Sequence, residues 1–268
     1  MPIAFEAVKN RSVIVTTTFY KNQEELRYLL TCNFVKAVTA KRYKIIIVDC
    51  SPDPAIAQSF RALGAEVWPQ IDQGLGASRR ELFQRAGNLM SAINEPFFVL
   101  WVEPEKIDFA NHLEAILAPF MDETIDLVMP KREEALYQLG YPDFQYFSEH
   151  SANSIYQRLF GPDNADPFFG PIAYKSTIKQ YFEDLKIGDY GLTDDGYLQL
   201  YGQAIAKCYG AKTMVVEIPF HYPPDQKASE LRLDNLPIMF AKRMDQLKNI
   251  AGQWFKIYNF FNPTDKNY

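Results

Sequence analysis

Four short sets of residues in this 268-residue chain carry side chains whose types and spacing suit chemistry. In WVEPEK (Trp101 to Lys106) two carboxylates stand one residue apart. In extended backbone residues i and i+2 point the same way, so Glu103 and Glu105 could share one hard cation, Mn2+ or Mg2+, through oxygen ligands. Such a cation neutralises charge on a departing diphosphate. A solvated charge pair at a strand end is the plainer reading. In IIIVDCSPD, Asp49 and Ser51 end a run of apolar residues, where open α/β sheets place their ligands; Asp49 either accepts a hydrogen bond from a base or ribose or caps the next helix. In QGLGASRREL, Gly74 and Gly76 precede a helix bearing Arg79 and Arg80. Glycines allow close backbone approach, and a helix start with a guanidinium suits a diphosphate. A helix-capping loop with surface arginines fits the same residues, and the spacing is not that of a dinucleotide fingerprint. The fourth set is Asp194, Asp195 and His221. Either acid could serve as a base toward an acceptor or cap the following helix, and His221 is a third metal ligand, a base, or a packed and hydrogen-bonded imidazole.

The elements that must position these residues follow from periodicity. SVIVTTT (Ser12 to Thr18) and YKIIIV (Tyr43 to Val48) are β-branched runs with a helical stretch, Gln23 to Ala37, between them. Continuous apolar strands imply burial on both faces, the mark of a mostly parallel sheet flanked by helices. The pattern repeats through a helix at Pro54 to Leu63, a strand at Ala65 to Trp68, a helix at Gly76 to Ala92, the strongly hydrophobic strand Pro96 to Val102, a helix around Phe109 to Phe120 and a strand at Asp126 to Pro130. From Lys131 to Pro171 aromatics, prolines and glycines follow no clean period, which predicts an irregular insert beside a ligand pocket. Helices at Ser176 to Leu185 and Asp194 to Tyr209, a strand at Thr213 to Ile218 and a long helix at Asn235 to Phe261 complete the expectation. The chain divides into an α/β domain over 1–224 and a C-terminal helical extension over 225–268.

Bulk properties narrow the function. With 47% hydrophobic and 23% charged residues the chain can bury a sizeable core, and a net charge of −5 with a pI near 5.4 argues against a nucleic-acid partner. Cys32, Cys50 and Cys208 have neither disulfide-framework nor zinc spacing. No apolar run approaches the roughly 20 residues that span a bilayer, so a cytoplasmic protein is expected. The lysines and aromatics near Trp254, Phe255, Tyr258, Phe260 and Phe261 suit peripheral contact with a membrane surface, or packing onto the core or a second subunit of a homo-oligomer.

In this order the four sets resemble the GT-A glycosyltransferase fold, especially its family 2 type. The opening VIVTTTFYKNQEEL is similar to that family's first strand and helix, and IIIVDCSPD to its strand ending in a base-binding aspartate. Gly74, Gly76, Ala77 and Arg79 match its glycine, alanine and arginine pattern, and Glu103-Pro104-Glu105 stands where it has a D-x-D metal motif. The stretch from DPFFGPIAY to EIPFHYPPD also resembles the retaining mannosylglycerate and glucosyl-phosphoglycerate synthases, in which a late histidine completes the metal site. Three departures accompany the likeness: Glu at both aspartate positions, an extended first loop at Lys21 and Asn22, and no arginine-tryptophan acceptor signature before Tyr209. The resemblance implies transfer of a sugar from a UDP- or GDP-sugar to a small or lipid-linked acceptor of unknown identity. It implies Thr17, Asp49, Ser51, Gly76 and Arg79 on the nucleotide, Glu103, Glu105 and His221 on Mn2+ or Mg2+, and Asp194 or Asp195 in the catalytic role. A nucleotidyltransferase on a similar sheet and a non-catalytic sugar-nucleotide-binding protein are the alternatives.

Overall fold

A computed structural model describes residues 3–263. Residues 1–2 and 264–268, at the outer ends of the two expected segments, lie outside it.

A short helix α1 (Phe5–Asn10) leads into β1 (Ser12–Thr18), then α2 (Leu26–Ala40), β2 (Lys44–Asp49), α3 (Pro54–Ala62), β3 (Glu66–Pro69), α4 (Leu75–Met90) and β4 (Phe98–Trp101). The β-branched and aromatic content of these strands suits a buried pleated surface. They pair in parallel in the order β3-β2-β1-β4, with Thr18 beside Asp49 and Val15 beside Trp101. The order reverses between β1 and β4, so the crevice past their carboxyl ends is a topological switch point, where such sheets bind ligands. The expected helix over 109–120 is broken into α5 (Leu113–Leu117) between two 3₁₀ turns, the second with Pro119 at its start.

The second half of the sheet is mixed. β5 (Leu127–Arg132) runs parallel to β7 (Thr213–Ile218), and β6 (Ile172–Lys175) is inserted antiparallel to both β4 and β5. The expected irregular insert over 131–171 is largely helical instead: α6 (Glu134–Gly140) and the 18-residue α7 (Asp143–Phe160) fill it. Residues 176–181 form 3₁₀ turns rather than a helix reaching 185, and α8 (Leu198–Cys208) starts later than Asp194. After β7 come α9 (Pro224–Glu230) and α10 (Leu236–Phe261).

Alternation along the strands divides the core between the two faces of the sheet. Ile14, Ile45, Ile47 and Leu100 face α1, α2, α3 and α5. Val13, Val15, Ile46, Val48 and Trp101 face α4, α7, α8 and α10. The last helix belongs to this second layer, with Trp254 fully buried and its ring 5.0 Å from Tyr156 and 6.0 Å from Phe168. Phe261 packs against Tyr190 and Tyr209, while Phe255 and Phe260 stay about half exposed. No helix among the described residues is long and apolar enough to cross a membrane.

Candidate functional site

At the switch point β1 and β2 end in a hydroxyl and carboxylate cluster. Thr18 Oγ1 donates to Asp49 Oδ1 at 2.6 Å, Ser51 Oγ donates to the same oxygen at 2.7 Å, and Ser51 Oγ accepts the Tyr20 amide at 3.0 Å. Asp49 is buried, and its second oxygen makes no hydrogen bond among the described residues. It is not the cap of the following helix. Asp53 fills that place, accepting the Ala55 amide at 2.9 Å ahead of Pro54 at the first helical position. Thr17, paired with Val48, stands one residue before the cluster.

The turn after β4 carries the two glutamates. Glu105 is buried, accepts the Tyr20 hydroxyl at 3.2 Å and is ion-paired with Arg27 from the first turn of α2. Tyr20 is in turn 2.6 Å from Thr31 Oγ1, and burial with the adjacent Glu105 pushes its phenol well above the usual tyrosine range. Glu103 is more exposed and ion-paired with Lys106. Gly170, before β6, has φ +101°, and a Cβ there would stand 3.5 Å from Glu103 Oε2 and 3.6 Å from Trp101. Any larger residue would be strained and would intrude beside the carboxylate.

Both glutamates line a cleft of about 390 Å³. Its other walls are Arg27 from α2, Tyr141, Gln145 and Glu149 around α7, Tyr197, Gln199 and Leu200 at the start of α8, and Met239, Lys242, Arg243, Gln246 and Ile250 from α10. The α10 residues recur at helical spacing, so one stripe of that helix forms a wall. Arg132 is saturated within the cleft's inner lining: Nη2 and Nε donate to the two oxygens of Asp166 at 2.8 and 2.7 Å, Nη1 donates to Glu149 at 2.6 Å, and the guanidinium lies 3.5 Å over the Tyr137 ring. Burial opposes ionisation of Glu149, yet Arg132 and Arg243 hold its carboxyl below the usual glutamate range.

Arg79, expected on a diphosphate, is turned into the molecule beside the cleft. Its Nη1 donates to Gln199 Oε1 at 2.6 Å, its guanidinium lies 4.6 Å over the Trp101 ring, and no carboxylate among the described residues ion-pairs with it. Burial pushes its pKa down to about 10, so it stays charged at neutral pH. Gly76 allows a close approach, but of the chain to itself: a Cβ there would lie 1.9 Å from Asp194 Oδ1. Asp194 grips Arg80 with both oxygens, at 2.6 and 2.7 Å, which lowers its pKa. Asp195 accepts the Tyr197 amide at 2.9 Å and the Tyr201 hydroxyl at 2.7 Å, ordering the start of α8. Gly76, Asp194 and Asp195 are not among the lining residues of the cleft.

His221 does not meet the glutamates. Its amide donates to Asp108 Oδ2 at 2.7 Å, and its exposed side chain lies along a separate groove with Ile107, Leu136 and Leu139. Pro223 and Pro224 follow, and Tyr222 rather than His221 enters the cleft. No group of three or more histidine, cysteine or acidic side chains among the described residues could by itself hold a metal ion. Glu103 and Glu105 still fit Mg2+ or Mn2+, which bind through one or two carboxylates when substrate phosphates supply further oxygens. The sequence reading missed Arg27, Gln199 and the α10 stripe. A buried glutamine on a mostly apolar helix, Gln199 in LQLYGQA, was the signal available.

No family model matches the sequence, and no curated protein matches it. The architecture does match solved structures. Glucosyl-3-phosphoglycerate synthase from Mycobacterium tuberculosis, in complex with Mn2+, UDP-glucose and phosphoglyceric acid, superimposes with a TM-score of 0.51 at 15% identity, covering 92% of this chain and 83% of that one. Its complex with Mn2+, UDP and glucosyl-3-phosphoglycerate gives 0.50 at 15% identity over the same shares. A further structure of that enzyme gives 0.50 at 14% identity, covering 94% of this chain and 86% of that one. The chain has the GT-A fold. Within the GT-A fold, the switch-point cluster around Asp49 and the turn bearing Glu103 and Glu105 occupy the carboxyl ends of β2 and β4, the places the sequence patterns point to.

Proposed function

We propose that this protein is a metal-dependent glycosyltransferase that moves a sugar from a UDP- or GDP-sugar to an acceptor held in the cleft. The observation that carries the reading is the pair Glu103 and Glu105 lining a cleft at the switch point of a GT-A sheet, linked through Tyr20 to the hydroxyl and carboxylate cluster of Asp49, Ser51 and Thr18 outside the cleft's lining. The solved structures of like fold that hold UDP or UDP-glucose with Mn2+ lend it support.

In this reading the free oxygen of Asp49 accepts from the base or ribose, with Thr17 and Ser51 alongside. Glu103 and Glu105 would hold Mn2+ or Mg2+, which would neutralise charge on the leaving diphosphate. Lys106 and Arg27, which pair with those carboxylates, would then be free to turn toward the phosphates, and Arg79, which has no ion-pair partner among the described residues, would add positive charge nearby. The acceptor enters along α10, where Lys242 and Arg243 favour an anionic group. Asp195 acts through the start of α8, which it orders.

The test is calorimetry of UDP and GDP with and without Mn2+, together with hydrolysis of UDP- and GDP-sugars. Asp49→Ala is expected to weaken binding of the preferred nucleotide about ten- to a hundredfold, the loss of a charge-assisted hydrogen bond of roughly 1.5 to 3 kcal/mol. Asp49→Asn recovers part of the loss. Nucleotide binding that is absent from the wild-type chain, or that ignores Asp49, overturns the reading.

A further inference from the structure

We infer that Gln199 contacts a hydroxyl of the sugar being transferred, through a side-chain amide whose orientation Arg79 sets; this rests on the glycosyl-transfer reading of the cleft. Gln199 lies in the first turn of α8, is 2% exposed and yet lines the cleft. Its Oε1 accepts Arg79 Nη1 at 2.6 Å. An arginine only donates, so the amide must turn its oxygen toward α4 and its NH2 away. That NH2 makes no hydrogen bond to any described residue, and it is not among the buried orphaned atoms. Two neutral N–H donors are therefore presented to the cleft from a side chain that is otherwise enclosed.

The arrangement behind Gln199 is closely packed. The Arg79 guanidinium is stacked on Trp101, itself held in β4 against β1 and β6. The Arg79 Nε and the Trp101 indole N–H are both buried without a partner, so the bond to Gln199 is the side-chain hydrogen bond that Arg79 makes among the described residues. Asp195 fixes the backbone just ahead, at Tyr197, and Gln246 from α10 donates to the Tyr197 hydroxyl at 2.6 Å. Gln199 thus stands on a braced helix start and not on a loose loop.

The chemistry of the donor selects what such a group would touch. The diphosphate is anionic and is matched by the cations of the cleft, whereas the sugar is neutral and rich in hydroxyls. A neutral NH2 lining the same cleft as Glu103 and Glu105 suits an oxygen acceptor of that kind. A site built to hydrogen-bond a hydroxyl discriminates strongly against an analogue lacking it, because its own buried donor is then left unpaired. Gln199 is in this view a specificity-determining contact, and Arg79 a positioning residue that acts through it.

The experiment compares hydrolysis of UDP- and GDP-hexoses with that of their monodeoxy analogues by the wild-type chain, Gln199→Leu and Gln199→Glu, alongside calorimetry of free UDP and GDP with Mn2+. In the wild type one monodeoxy analogue is expected to lose tenfold or more in kcat/KM relative to its parent. Both variants should bring the parent down to the level of that analogue, while affinity for the free nucleotide stays within about twofold. Gln199→Glu keeps an acceptor for Arg79 and so carries the test if Gln199→Leu does not fold. If the variants retain the deoxy penalty, or weaken free nucleotide as much as they weaken turnover, Gln199 is only the acceptor that satisfies Arg79 and the inference fails. If the wild type neither binds nor hydrolyses any nucleotide sugar, the glycosyl-transfer reading itself falls and Gln199 with it.

Discussion

Arg132 deep in the cleft and Arg27 at its mouth both pair with carboxylates, but under opposite conditions. Arg132 is 1% exposed, spends its donors on Asp166 and Glu149, and is capped by the Tyr137 ring. The side chain of Arg27 is 59% exposed and holds one carboxylate, Glu105. A buried and fully satisfied arginine is costly to disturb, because breaking it strands charges in low dielectric. In the Arg27 pair only the arginine is open to water: Glu105 is buried, so Arg27 can leave at little cost to itself provided another cation takes over the carboxylate. The same cleft therefore joins a fixed charge network, which shapes it, to replaceable charges, which leave room for a ligand's own.

The largest effect is expected at the fixed end. Arg132→Met leaves Glu149 and Asp166 facing one another without their shared cation and should lower stability by about 3 to 5 kcal/mol, read as a denaturation midpoint. If Arg132→Met melts like the wild type, the division between fixed and replaceable charges is wrong.

Glu183 tests burial without full pairing. It is packed against Gly87 with one oxygen unpartnered, and burial pushes its pKa up to about 7 although Lys179 lies 3.4 Å away. Its folded pKa lies above the ordinary glutamate value of 4.5, so between pH 4.5 and 7 the folded chain binds more protons than the unfolded one, and stability falls as pH rises through that window. Glu183→Gln should remove this slope and stabilise the chain at pH 8, by on the order of 1 to 3 kcal/mol. Melting curves of both proteins at pH 5 and pH 8 measure it.

At the open end, Arg27→Met leaves the buried Glu105 carboxylate with the Tyr20 hydroxyl and should lower metal-free stability by about 1 to 2 kcal/mol, while tightening Mn2+ binding about two- to fivefold because a competing cation leaves Glu105. Manganese titration checks the sign, and weaker binding would mean that Arg27 supports the site. His221→Ala should do least, shifting stability by less than about 0.5 kcal/mol and leaving Mn2+ titration unchanged, because the side chain is exposed and lies along another groove.

Strands that pair in parallel were legible as apolar, β-branched runs: in one half of the sheet Ser12–Thr18, and in the mixed half Thr213–Ile218, are strands over the bounds the pattern gives, and β2 is shifted by one residue. The region from Lys131 to Pro171 was not. In α7 the buried positions include Gln145, Glu149 and Asn153, which bind Arg132 or its carboxylate partners, and Ser148, which donates to the Gln145 carbonyl, so the inward stripe is polar and the helical period is hidden. The same physics limited the site. The places of Asp49, Glu103 and Glu105 follow from the strand pattern, because Asp49 ends β2 and the two glutamates stand in the turn after β4. Arg79, Gly76 and Asp194 carry the right residue types, but the partners that claim them are 114 to 120 residues away in sequence and cannot be foreseen from spacing.

The α10 stripe from Met239 to Ile250 has a consequence for the birth of the molecule. Arg243 meets Glu149, and Gln246 meets Tyr197, across long intervals of chain. A ribosome making this protein completes all seven strands before it makes the helix that walls the cleft. The sheet can therefore gather and pack its earlier helices while the cleft is still an open groove and the α10 share of the second layer is still missing. A nascent chain stalled ahead of α10 would carry Asp49, Glu103 and Glu105 on the GT-A sheet with the cleft still unwalled, which on the proposed reading separates the moment the sheet forms from the moment the chain becomes competent.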